Sequence, residues 1–147
     1  MKRTFQFLFL VTFLTISAVT VSAQCKGFAK KICKPILTPF THDGNYHAAI
    51  LTEGEEAELY KTFYSNIEYR VAVIGSDALP DVEFQIVDQN KNVLYDNKEH
   101  NYGKTWDFKL QSSQQLKIVV KVLTTGENKA EDVMSGCVAI MFGIKEK

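Results

Sequence analysis

The chain has 147 residues with 17 basic and 17 acidic side chains, so its formal net charge is zero with histidines neutral. That balance excludes both the basic footprint of a nucleic-acid-binding protein and the acidic tail of a disordered one. The length suits one domain, and no internal repeat or low-complexity segment argues for an array.

Lys2 and Arg3 precede an uncharged apolar run over residues 5–21, and Val21-Ser22-Ala23 has the small residues of an export cleavage site. Residues 1–23 read as a signal peptide, which makes the protein exported: periplasmic, secreted or envelope-associated. A retained anchor is the alternative, because the run nearly reaches the ~20 residues of a membrane span. The domain plan is then signal peptide at 1–23, a short helix and extended connector at 24–45, and a β-sandwich domain at 46–147. Removing 23 of the 147 residues leaves 124, enough to bury about two-thirds of the unfolded chain's surface without a partner.

Residues 24–34 read QCKGFAKKICK. Cys25, Phe28, Ala29, Ile32 and Cys33 recur at helical spacing, opposite Lys26, Lys30, Lys31 and Lys34, and Pro35 closes the segment. The pattern predicts a short amphipathic helix capping an end or edge of the sheets; contact with an anionic membrane surface is its sharper reading.

The three cysteines, Cys25, Cys33 and Cys137, imply one disulfide and one spare thiol in an oxidising compartment. Eight helical residues rise about 12 Å, beyond the ~7 Å Cα limit of a disulfide, so Cys25 and Cys33 do not pair with each other. Cys33–Cys137 is the expected bond, because Cys33 is nearer the body of the domain, with Cys25–Cys137 as the alternative. The remaining thiol is either buried or free to cross-link two chains.

From residue 46 onward, strand-like runs, most of them alternating apolar with polar residues, fall at 46–51, 56–64, 67–74, 82–86, 93–95, 106–110, 116–122 and 136–144. These eight runs, separated by turn residues, predict an antiparallel, jelly-roll-like β-sandwich. Three hairpins are expected: 56–74, 82–95 and 104–122. In the last run both parities are apolar, as in a strand covered on both faces. The polar stretch 123–135 reads as the longest loop.

The run Ala57 to Ile74, and Trp106-Asp107-Phe108 followed by Leu116 to Val122, resemble small exported bacterial β-sandwich domains of the pre-peptidase C-terminal type, over about half of the mature chain. The chain departs from that type in its thin Asp/Gly-rich loops. The resemblance implies a non-catalytic accessory or binding role and carries over no catalytic residue.

Asp88, Asn90 and Asn92, with Glu99 eleven residues after Asp88, copy the oxygen spacing of a calcium loop but lack its glycine and flanking helices. A polar hairpin turn explains the same residues, so no cofactor is expected and calcium is the one metal these loops suggest. His42, His47 and His100 read as solvated loop histidines. No nucleophile elbow or recognisable catalytic cysteine context is present, and the reading is non-enzymatic. Tyr60 and Tyr64, at the outward parity of their strand, and Tyr46 near a turn are the candidate contact residues for a protein or glycan. A structural envelope protein that self-associates, or touches the membrane through its N-terminal helix, is the alternative.

Overall fold

The computed structural model describes residues 20–126 and 133–146. Most of the expected leader and the centre of the 123–135 loop lie outside the described residues. Within them run α1 (Thr20–Phe28), a π-helical turn (Ala29–Cys33), a 3-10 turn (Lys34–Leu37), and strands β1 (Thr41–His42), β2 (His47–Thr52), β3 (Glu56–Phe63), β4 (Glu68–Gly75), β5 (Val82–Val87), β6 (Val93–Asp96), β7 (Thr105–Lys109), β8 (Gln114–Val122) and β9 (Ser135–Ile144).

The first sheet has the order β2-β9-β4-β7, with β1 also on β9, and the second has the order β3-β8-β5-β6. Every pairing is antiparallel. The two sheets face each other as an antiparallel, jelly-roll-like sandwich. The inward residues Phe63, Val71, Phe84, Ile86, Leu116, Ile118, Val120 and Phe142 are fully buried between them.

Of the three expected hairpins only 82–95 forms, as β5 paired with β6. The other two are corrected: β3 and β4 lie in opposite sheets, and so do β7 and β8. A period of two tells which side chains face inward, but not whether the next strand lies beside them or across the core. At both connections the chain arches over the sandwich. Inward residues then meet across it, as Phe63 does with Tyr69 and Phe108, both edge-on at 5.0 Å. The two arches support each other, for Ser65 N–H donates to Ser113 Oγ at 2.9 Å and Asn66 N–H to the Leu110 carbonyl at 2.9 Å.

The helical segment lies flat on the outer face of the first sheet, not on an end or edge as expected. Cys25, Ala29, Cys33 and Leu37 are buried at intervals of four residues. Four residues overshoot an α-turn, and the wider π turn takes up the drift, keeping all four on one line. Ile32, expected on the apolar face, is turned out and 56% exposed. Beneath lie Ala72, Ile74, Ala139 and Met141, with Ala48 beside them; the alanines let the helix approach closely. The outward residues of β9 are covered by the helix and its inward ones by the second sheet, which explains why both parities of this strand are apolar.

The disulfide joins Cys25 to Cys137, with Cα atoms 5.2 Å apart, and corrects the expected Cys33–Cys137 bond. The helix runs along β9, from Cys25 over Cys137 to Leu37 against Gly143. Twelve helical residues rise about 18 Å and six strand residues about 20 Å, so the two tracks match. Cys33 is therefore carried well past Cys137. It is the free thiol, fully buried and out of reach of a second chain.

Arg70, on the outer face of β4, ties this layer down. Its Nε and Nη2 donate to the two Asp107 carboxylate oxygens at 2.6 and 2.7 Å, and Nη1 donates to the Thr38 carbonyl at 2.8 Å. Its guanidinium also stacks 4.6 Å from the Phe40 ring.

Candidate functional site

The two long seams of the sandwich differ. Where β6 meets β7, aromatic rings close the gap: Tyr95 stacks on Trp106 at 5.0 Å, and Trp106 on Phe108 at 4.4 Å. Trp106 is thus core, as its parity indicates. His100, exposed in the loop after β6 as expected, stacks on the other side of Tyr95 at 5.0 Å and ends that ladder.

Where β2 meets β3, the seam is polar at the end next to the β1–β2 turn. Lys61 stands at the inward parity of β3, between Leu59 and Phe63, a position that apolar patterning alone passes over. Its Nζ lies 2.8 Å from Asp43 Oδ2 and 4.6 Å from the centre of the Phe142 ring. Asp43 Oδ1 also accepts the Asn45 N–H at 2.9 Å. Burial opposes the charge on Asp43, but these hydrogen bonds and the Lys61 ammonium outweigh it and hold the carboxyl below its ordinary pKa. His42 Nε2 lies 2.9 Å from the Asn45 carbonyl, and its Nδ1 accepts the Gly44 N–H at 3.3 Å. His47 lies edge-on to Phe142 at 5.8 Å. Burial pushes the His47 pKa down; Asp43 opposes that shift while Lys61 and His42 add to it. Neither histidine is the solvated loop residue expected. Beside this cluster a groove of about 370 Å³ opens toward the core between Tyr46, His47, Leu51, Leu59 and Ile140.

Tyr46 lines that groove and packs against the helix layer, its ring 4.6 Å from His42. The structure does not bring it to the other two candidate tyrosines. Tyr60 lies on the outer side of the second sheet and Tyr64 just past the end of β3, 57% and 60% exposed. Strand register sets out this face in rows: Glu56, Lys121 and Glu83; then Glu58, Val119 and Gln85; then Tyr60, Lys117 and Val87. Lys117 Nζ lies 2.8 Å from Glu58 Oε1, and the Tyr60 hydroxyl donates to Glu58 Oε2 at 3.2 Å. The hydrogen bond from Lys117 holds the Glu58 carboxyl below its usual pKa. The result is a broad face of alternating charge with two tyrosines at one side. Among the described residues no helix covers it, whereas the first sheet's outer face is roofed by the helix.

The calcium candidates separate. Asp88, Asn90 and Asn92 form the β5–β6 turn, where Asp88 Oδ1 accepts the N–H groups of Asn90 and Asn92 and Oδ2 accepts the Asn92 amide, each at 2.8 Å. Glu99 lies in the 3-10 turn Asn97–His100, at the far end of β6 from that turn. The Asp88 carboxylate stabilises its own turn, and among the described residues no group of three His, Cys, Asp or Glu is placed to hold a metal. Next to Glu99, buried Asn97 continues the sheet with its side chain: it accepts the Phe84 N–H at 2.8 Å and donates to the Val82 carbonyl at 3.0 Å. Burial pushes the Cys33 thiol up to about 11, with Lys104 opposing, which keeps it protonated and unreactive at neutral pH.

No family model and no curated protein matches the chain. Among solved structures it is similar to PliG of Aeromonas hydrophila, a periplasmic inhibitor of g-type lysozyme. That likeness has a TM-score of 0.51 and 12% identity, over 73% of this chain and 89% of that one. PliG of Salmonella Typhimurium aligns at TM-score 0.43 and 10% identity, over 69% and 86% of the respective chains. The Aeromonas likeness shows a shared sandwich fold.

Proposed function

We propose that the protein is an exported, non-enzymatic protein-binding module that meets its partner through the tyrosine-bearing outer face of the second sheet. The observation that carries this reading is the asymmetry of the sandwich: one outer face is sealed by a disulfide-anchored helix, and the other is left open with Tyr60 and Tyr64 at 57% and 60% exposure. Tyrosine gives flat, amphipathic contact area at low entropy cost, and alternating charges fix register against a complementary protein surface. The disulfide suits an oxidising compartment. The fold likeness puts a g-type lysozyme first among partners to test, as a fold-level analogy.

Lysis of a cell-wall suspension by a g-type lysozyme, with and without a molar excess of the protein, tests that partner. Slowed lysis supports it, and an unchanged rate removes it. Surface-sensor binding to lysozymes of other types and to a glycan array then tests the broader module reading.

A further inference from the structure

The four charged residues between Thr20 and His42 are all lysines: Lys26, Lys30, Lys31 and Lys34. All four are exposed on the outer side of the helical layer. Among the described residues none of them lies within ion-pair distance of a carboxylate. The other charges past residue 23 are 11 basic and 17 acidic, so this segment is a purely basic stretch on a chain that is otherwise net acidic. Ile32, 56% exposed, stands among the lysines. At the end of the segment a recess of about 400 Å³ is bounded by Lys30, Lys34, Thr38, Phe40 and His42. It presents two ammonium groups and a hydroxyl over an aromatic wall.

We propose that the helical layer docks on an anionic membrane surface, with the Lys30–Lys34 recess receiving a lipid phosphate and Ile32 entering the headgroup boundary. The lysines are spread along the segment, which matches a surface carrying many anionic groups better than a single small anion. An exposed isoleucine among cations gains nothing from a soluble polyanion but gains from the apolar edge of a bilayer. The contact is reversible, since two helical turns and one apolar residue are far from an anchor. The helix and the Tyr60 face lie on opposite sides of the sandwich, so a membrane-docked molecule presents the tyrosines outward.

The test is co-sedimentation of the exported protein with vesicles of phosphatidylcholine alone or mixed with phosphatidylglycerol, at low and high salt. Polyphosphate and inorganic phosphate serve as soluble probes. Binding is expected to the anionic vesicles only, and to be lost at high salt. The Lys30→Gln/Lys34→Gln variant should lose about 25-fold, at roughly fivefold per lysine, and Ile32→Gln should weaken binding at unchanged charge. Lys91→Gln, in the β5–β6 turn, should bind as wild type. Equal binding to both vesicle types, binding of a soluble phosphate probe without vesicle binding, or no loss in the double lysine variant would each overturn the proposal. Because the probes are lipids and the variants lie on the helix, failure here leaves the protein-binding reading of the opposite face untouched.

Discussion

Lys61 Nζ lies 2.8 Å from Asp43 Oδ2, and this contact joins the β1–β2 turn of one sheet to the edge strand of the other across an otherwise open seam. The Lys61 stem lies against Phe142 and only its head reaches the rim, with its side chain 24% exposed against 6% for Asp43. Such a pair stands between an exposed bridge, worth less than ~1 kcal/mol, and a buried one, whose breaking costs ~3–5 kcal/mol. Lys61→Ala is expected to cost about 2 kcal/mol in urea unfolding. Lys61→Met, which keeps the stem, should cost less, and its cycle with Asp43→Asn should show positive coupling. Strict additivity would mean that the two side chains act independently.

The same cluster sets a pH dependence. The folded pKa of His47 is lowered, chiefly by burial. The unfolded chain therefore takes up the proton first as pH falls, and the stability from neutral His47 is complete above about pH 6.5 and lost as pH drops through the lowered folded value. The depressed Asp43 carboxyl adds a second loss at lower pH, below about 3.9. Urea midpoints for the wild type should fall between about pH 7.5 and about pH 5, and His47→Gln should flatten that fall. A variant that follows the wild-type curve would assign the effect to other groups.

Much of this cluster is invisible to apolar patterning. The strands were legible because an alternating run buries one face whatever it pairs with; β9, apolar at both parities, even announced that both its faces are covered. Pairing was not legible, because an arch and a hairpin bury the same residues. Lys61 could have been found by strict parity, since it shares the inward side with Ala57, Leu59 and Phe63. Its partner Asp43 lies 18 residues away in a turn that reads as ordinary. The choice between Cys25 and Cys33 depended on the direction of the helix over β9, which no local pattern encodes. Exposure of Tyr60 and Tyr64 followed directly from parity, whereas nearness to a turn says nothing about which side of the sandwich Tyr46 occupies.

Cys25→Ser/Cys137→Ser should be strongly destabilised. The bond spans 112 residues, for which the chain-entropy model gives about 5 kcal/mol. In the wild type, the thiol reagent DTNB should find no fast-reacting thiol in the native state and one after denaturation, that of Cys33. A fast native thiol would contradict the burial described.

Arg70→Lys keeps the charge but loses the two-pronged grip on Asp107 and the bond to the Thr38 carbonyl. A loss of about 2 kcal/mol is expected, read as a lower thermal midpoint. Asp107→Asn should cost less, because the contacts to Phe40 and Thr38 remain. Equal effects would place the value of Arg70 in Asp107 alone.

The most direct measurement of the central reading is calorimetric titration of a g-type lysozyme with the wild type and with Tyr60→Ala/Tyr64→Ala. Saturable one-to-one binding by the wild type is expected, with a loss of about 30-fold or more in the double variant, at ~1 kcal/mol or more for each buried interface tyrosine, and with the folded stability of the variant unchanged. Equal affinity of the two proteins, or no binding by the wild type to this partner, would contradict it.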